Sequence, residues 1–238
     1  MTTVSQQETI EALLSRSGRD NVPLRRSFVQ VRQRGGGAGP LSWFVRDRRS
    51  RALDLYLLAF ALASAPPFDV ALPAEVWARM LGLSTYASGR SVVSKNWRWL
   101  ERRAFITSDR RGRLKAVTLL REDGSGAPYI HPGRDAGDYF KLPYEYWHAN
   151  FHNRLSLPAK AVLLIALARV GEFSLPAQHA SQWYGLSPDS ISAGIRHLRL
   201  YGLLETRLVT KPAPLTAKGI TQERKYILLP PFGAPADR

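Results

Sequence analysis

The sequence predicts an α+β fold, mainly helical, in which a unit of three helices and a two-stranded hairpin occurs twice. Two observations lead there: a gapless internal repeat, and the same pattern of turn residues, helix and hairpin after each copy. Leu72-Pro73-Ala74-Glu75-Val76-Trp77-Ala78-Arg79-Met80-Leu81-Gly82-Leu83-Ser84 aligns with Leu175-Pro176-Ala177-Gln178-His179-Ala180-Ser181-Gln182-Trp183-Tyr184-Gly185-Leu186-Ser187, and six of the thirteen positions are identical. The period of about one hundred residues is too long for a solenoid and suits two related small domains.

Glu8 to Ser15 is expected as a short amphipathic helix through Ile10, Leu13 and Leu14. Ser27–Val31 and Leu41–Val45 read as strands of a basic hairpin around Arg34-Gly35-Gly36-Gly37-Ala38-Gly39-Pro40. An apolar helix precedes each repeat copy, at Arg51 to Ala63 and at Pro158 to Val170. Within the copies, helices Ala74–Leu81 and Ala177–Tyr184 follow Leu-Pro, because proline lacks only an N–H that has no helical partner at that point. Gly82 and Gly185 end them by taking the left-handed conformation, and Ser84 or Ser187 opens the next segment.

The third helix of each copy carries a buried stripe: Val93, Trp97 and Leu100 correspond to Ile191, Ile195 and Leu198, with five extra residues allowed in the first turn. A hairpin follows each. Ala104–Ser108 leads to a tip at Asp109-Arg110-Arg111-Gly112-Arg113 and back along Leu114–Leu120. Gly202–Thr206 leads to a tip containing Pro212, Pro214 and Gly219 and back along Lys225–Leu229. Between the copies, Glu122–Gly126 and His131–Gly133 read as loop, and Tyr144–Arg154 as a helix. The expected organisation is an N-terminal helix and basic hairpin extension (1–49), domain one (50–120), a linker with its connecting helix (121–155) and domain two (156–238).

Leu72 to Leu120, with its Gly82-Leu83-Ser84 turn, its Val93/Trp97/Leu100 helix and its arginine-rich tip, resembles the winged helix-turn-helix superfamily, and so does Leu175 to Leu229. The tandem arrangement is also similar to plasmid replication initiators. The first resemblance implies two winged-helix domains whose third helices enter the major groove of DNA. The second implies binding to repeated origin sites.

Charge supports a polyanionic partner. The chain carries 34 Lys and Arg against 19 Asp and Glu, a formal net charge of +15. Residues 1–50 are net +5, 51–120 net +6, 121–155 net −1 and 156–238 net +5. Such a field attracts nucleic acid and is screened by salt. A membrane surface is the rival, but the long apolar helices carry few Lys or Arg.

Opposite the buried stripe of the first copy, at about 100° per residue, lie Ser91, Lys95, Arg98 and Arg102, with Arg90 at the helix entry and Ser94 on the flank. These are the candidate base and phosphate contacts, since arginine and lysine bond guanine edges and phosphates alike. Arg110, Arg111 and Arg113 at the hairpin tip suit phosphates or a narrow minor groove. In the second copy, Ser190, Ser192, Arg196 and Arg199 are the candidates, diluted by Asp189, Ala193 and Leu200. Arg46, Arg48, Arg49 and Arg51 read as a solvated helix entrance. Trp99 is the one aromatic beside the arginines outside the buried stripe, and one aromatic makes a poor platform for base stacking.

Zero cysteines exclude disulfides, thiolate metal sites and cysteine nucleophiles. Arg34–Pro40 fits neither phosphate-loop template. His148 and His152 have the spacing of helical metal ligands, but Ala149 stands where a zincin has its Glu. No catalytic residue, metal or cofactor is expected, and no small-molecule ligand is evident. The expectation is a non-enzymatic, cytoplasmic, nucleoid-associated protein binding double-stranded DNA, as a homodimer or as a monomer on direct repeats, to regulate transcription. The alternatives are replication initiation and a protein-interaction scaffold without DNA binding.

Overall fold

Between Ala52 and Ala61 every residue except Asp54 is buried, so this helix has no solvent face. The run from Ala159 to Ala166 is buried throughout, Lys160 included. Helices that are apolar all round form the inside of a protein. These two precede the two repeat copies, and the rest of the chain is built over them.

The structure is a computed structural model, which describes residues 4–31, 37–83, 86–133, 138–169, 171–175, 177–215, 217 and 219–233. Ser84, Pro176 and the Arg34–Gly36 part of the glycine-rich loop lie outside the described residues. The elements run α1 (Gln6–Leu14), β1 (Asn21–Arg25), a 3-10 turn at Arg26–Phe28, α2 (Leu41–Arg46), α3 (Ser50–Leu62), β2 (Asp69–Ala71), α4 (Ala74–Met80), α5 (Ala87–Arg102), β3 (Ile106–Arg111) and β4 (Leu114–Leu119). They continue as β5 (Tyr139–Pro143), α6 (Glu145–His148), α7 (Phe151–Arg154), α8 (Leu157–Ala168), α9 (Ala177–Tyr184), α10 (Pro188–Leu200), β6 (Leu204–Pro212) and β7 (Ile220–Leu228). The chain is α+β.

Each copy of the repeat gives two helices joined by a turn and followed by an antiparallel hairpin. Gly82 and Gly185 share φ of 63°, the left-handed value at which a side chain is strained. On α5, Val93, Trp97 and Leu100 are buried, and Trp97 meets Trp77 of α4 edge to face at 5.1 Å. On α10, Ile191 and Leu198 are buried and Ile195 packs against the core. The first hairpin turns at Gly112–Arg113 and gains β2 as a third strand, in the order β2-β4-β3. The second is a two-stranded ribbon of nine-residue strands.

Other segments depart from the sequence reading. Ser27–Val31 and Leu41–Val45, expected as strands, contain the 3-10 turn and α2. A five-residue apolar run fits either period, and here Leu41 and Phe44, three apart, both face the core. Phe44 lies 5.1 Å from Phe105 and 6.0 Å from Tyr56, so this segment packs on α3 and the first hairpin. The single helix expected over Tyr144–Arg154 is two short ones, broken where Asn150 adopts φ of 60°.

Residues 121–155 contribute to the core. β5 pairs antiparallel with β1, with Val22 opposite Leu142. Glu122, fully buried, accepts hydrogen bonds at 2.8 Å from the guanidinium and the backbone N–H of Arg25, itself 3% exposed. Burial pushes the Glu122 carboxyl pKa up, and Arg25 opposes that shift.

A second buried ion pair joins the two central helices: Lys160 Nζ of α8 lies 2.6 and 2.7 Å from the two carboxylate oxygens of Asp54 on α3. Tyr146 donates a further bond to Asp54 at 3.4 Å. Removing one member of such a pair leaves a bare charge in the interior. Lys160→Met is therefore expected to lower unfolding stability by about 3 kcal/mol in urea titration. Adding Asp54→Leu should restore most of that loss; additive losses would contradict the pairing.

Candidate nucleic-acid interface

The buried stripe of α5 fixes what its opposite face presents. Arg90, Ser91, Ser94, Lys95, Arg98 and Arg102 are all exposed, as are Arg110, Arg111 and Arg113 on the hairpin. Lys95, Arg98, Arg102, Arg110 and Arg113 make no ion pair among the described residues. Arg90 pairs with Glu75 at 2.9 Å in a solvent-exposed contact that an incoming anion can replace at little cost. Arg111 is held by Asp69 of β2 and points its charge back at the sheet.

The face divides into two depressions. On the hairpin side, Arg90, Ser94 and Arg113 line a cleft of about 390 Å³ with Lys115 and the start of α4. The helix face and the hairpin tip, 19 residues apart in the chain from Ser94 to Arg113, thus border one concavity. On the other side, Lys95, Arg98 and Arg102 line a cleft of about 420 Å³ together with Arg49. Its one carboxylate, Glu101, is engaged by Lys115 at 3.3 Å.

One reading of the sequence changes here. Trp99 is 4% exposed, 4.8 Å from the Phe44 ring, and Arg103 lies 5.6 Å over it. It is a core residue and is not available to stack on a base. The arginines before α3, read as a solvated entrance, are solvent-exposed at 46, 48 and 51, and Arg48, Arg49 and Arg51 also line a cleft of about 560 Å³ with Lys95 of α5. No signal in the sequence joins positions 48–51 to position 95, because the proximity comes from the packing of α3 against α5.

The second copy offers a different surface. Arg196 and Arg199 are exposed and border a cleft of about 630 Å³ with Ala193 and Leu200, the latter 76% exposed. Ser192 is exposed. Ser190 is committed locally: its N–H donates to Ser187 Oγ at 3.2 Å, and the two hydroxyls lie 2.9 Å apart at the start of α10. Where α5 has Lys95 and Arg102, α10 has Ala193 and Leu200.

His148 and His152 do not share a helix: they lie on α6 and α7, His148 exposed and His152 4% exposed. His152 lines the cleft of Arg48 and Lys95. Burial, with Lys160 nearby, lowers its pKa to about 4. No protein-family model, curated protein or solved structure matches the chain.

A histidine with a pKa of 6.5 unfolded and about 4 folded stabilises the fold above pH 6.5, and that contribution disappears as pH falls toward 4. Against His152→Gln, the native chain should lose about 3 kcal/mol more stability between pH 7 and pH 4. Parallel stability profiles for the two proteins would contradict the buried neutral imidazole.

Proposed function

We propose that the chain is a sequence-specific double-stranded DNA-binding protein built on tandem winged helices, acting by binding and not by turnover, and regulating transcription. The observation that carries this reading is the α5 face: Arg98, Lys95 and Arg102, exposed and without ion pairs among the described residues, beside a hairpin whose tip shares a cleft with the same helix. An exposed helix fits the major groove, and a basic hairpin beside it reaches the neighbouring phosphates or minor groove.

On this reading Arg98 and Lys95 contact base edges, with Ser91 and Ser94 able to bond either bases or phosphates. Arg110 and Arg113 anchor to the backbone, and Arg102 adds a phosphate contact at the end of the helix. Arg111 takes a lesser part because Asp69 already holds it. In the second copy, Arg196 and Arg199 supply phosphate contacts around an apolar centre. Two readers in one chain suit a bipartite or directly repeated site and leave a homodimer unnecessary. The same pairing favours a second reading, replication initiation at an array of repeats; a footprint over one operator supports regulation, whereas a footprint over an array beside an AT-rich segment supports initiation.

Affinities for a duplex selected from a random pool, and for random-sequence duplex, provide the residue-level test. Arg98→Ala is expected to lose about tenfold or more on the selected duplex and much less on random DNA. Arg113→Ala should weaken both alike and reduce the salt slope by about one. Equal losses for Arg98→Ala on both duplexes would remove its reading role, and a native chain that ignores duplex DNA at low salt would remove the function.

A further inference from the structure

Besides the buried Lys160, which Asp54 holds, six cations line two adjoining clefts beside α5. Arg48, Arg49, Arg51 and Lys95 border the first, and Arg49, Lys95, Arg98 and Arg102 border the second. Arg49 and Lys95 belong to both, so the clefts form one track from the α2–α3 junction along α5. None of the six makes an ion pair among the described residues.

The acids beside the track are already neutralised. Asp54 is paired with Lys160 at 2.6 Å, and Glu101 is engaged by Lys115. α3 has no acidic residue in its first turn, and His152, with a pKa of about 4, is neutral at pH 7. Asp54 also acts on Arg51 at longer range, but no carboxylate makes an ion pair with any of the six among the described residues, so the cluster keeps a net positive charge. A bound anion offsets that charge, and guanidinium groups bind phosphate with paired, charge-assisted hydrogen bonds.

The shape selects among anions. A site for one small phosphate gathers buried donors around a point. Here Arg48, Arg51, Lys95, Arg98 and Arg102 are exposed and strung along two elements. This spacing suits a row of charges on an extended ligand.

We propose that the α2–α3 junction, through Arg48, Arg49 and Arg51, is a third DNA-contacting element that holds backbone phosphates of the duplex flanking the segment read by α5. The inference rests on the DNA-binding reading above and assigns to it a contact outside the helix and hairpin. These arginines supply affinity without sequence information, since a phosphate is the same beside every base. Arg49 also packs 6.0 Å over the Trp99 ring, which holds the junction in place.

The test measures affinity for random-sequence duplex as a function of salt, for the native chain and for Arg48→Gly/Arg51→Ala. Both side chains are exposed, and glycine accepts the φ of 53° found at position 48, so the variant's melting temperature is expected to stay unchanged. Removing one neutralised phosphate reduces the slope of log affinity against log salt by about 0.9. The double variant should lose a slope of about two while its preference for the selected over the random duplex is unchanged. Arg51→Lys, which keeps the charge, should retain the native slope. A native slope in the double variant overturns this site and leaves the proposed function standing. Failure of the native chain to bind any duplex overturns both. Pyrophosphate raising the melting temperature of the native chain but not of the double variant, with no change in salt slope, would identify a small-anion site and overturn the backbone assignment.

Discussion

The buried contact between Asp54 and Lys160 links the two apolar helices at the inside of the protein. Each residue sits on the all-apolar helix that begins one half of the repeat, and a full charge on either helix is tolerable only where the other meets it. Burial pushes the Asp54 carboxyl pKa up, while the ammonium and the Tyr146 hydroxyl work in the opposite direction. The pair thus ties α3 to α8 at one point. Through the packing of α5 on α3 and α10 on α8, it also ties together the two surfaces proposed to meet DNA.

The two halves have kept a frame and diverged at the surface. Their turns share the same left-handed glycine, and their stripes align. Behind the stripes they differ: Asn96 of α5 bonds back to the Val92 carbonyl at 2.9 Å, whereas a Cβ at its counterpart Gly194 would come within 2.6 Å of the Pro158 carbonyl oxygen. The second half therefore packs its helices more closely. On the outer face, Ala193 and Leu200 replace Lys95 and Arg102, so the halves are unequal in charge where the proposed function needs contacts. The first half thus presents a strongly basic face and the second a weaker, partly apolar one.

The repeat, the helices of its two copies, the glycine turns and both hairpins were legible because each is written locally, in periodicity and in turn residues. The exposed arginines of α5 followed from its buried stripe, since a helix that hides positions 93, 97 and 100 must show 91, 95, 98 and 102. What escaped was whatever depends on distant partners. Strand β1 contains Pro23 and has little meaning without β5, more than a hundred residues later. Glu122 looks like a loop acid until Arg25 closes on it. Nothing puts Arg48 and Arg51 beside Lys95 until α5 is laid against α3, and Trp99 looks available until the Phe44 ring covers it.

Arginine footprinting tests the central claim most directly, because it reads contact at every guanidinium in one experiment. The full chain is treated with phenylglyoxal, with and without saturating duplex DNA, and modified positions are identified by mass spectrometry. The account predicts protection at Arg48, Arg51, Arg98, Arg102, Arg110 and Arg113, weaker protection at Arg196 and Arg199, and equal reaction of exposed Arg16 in both samples. Uniform reactivity across these positions, or protection confined to Arg196 and Arg199, would contradict it.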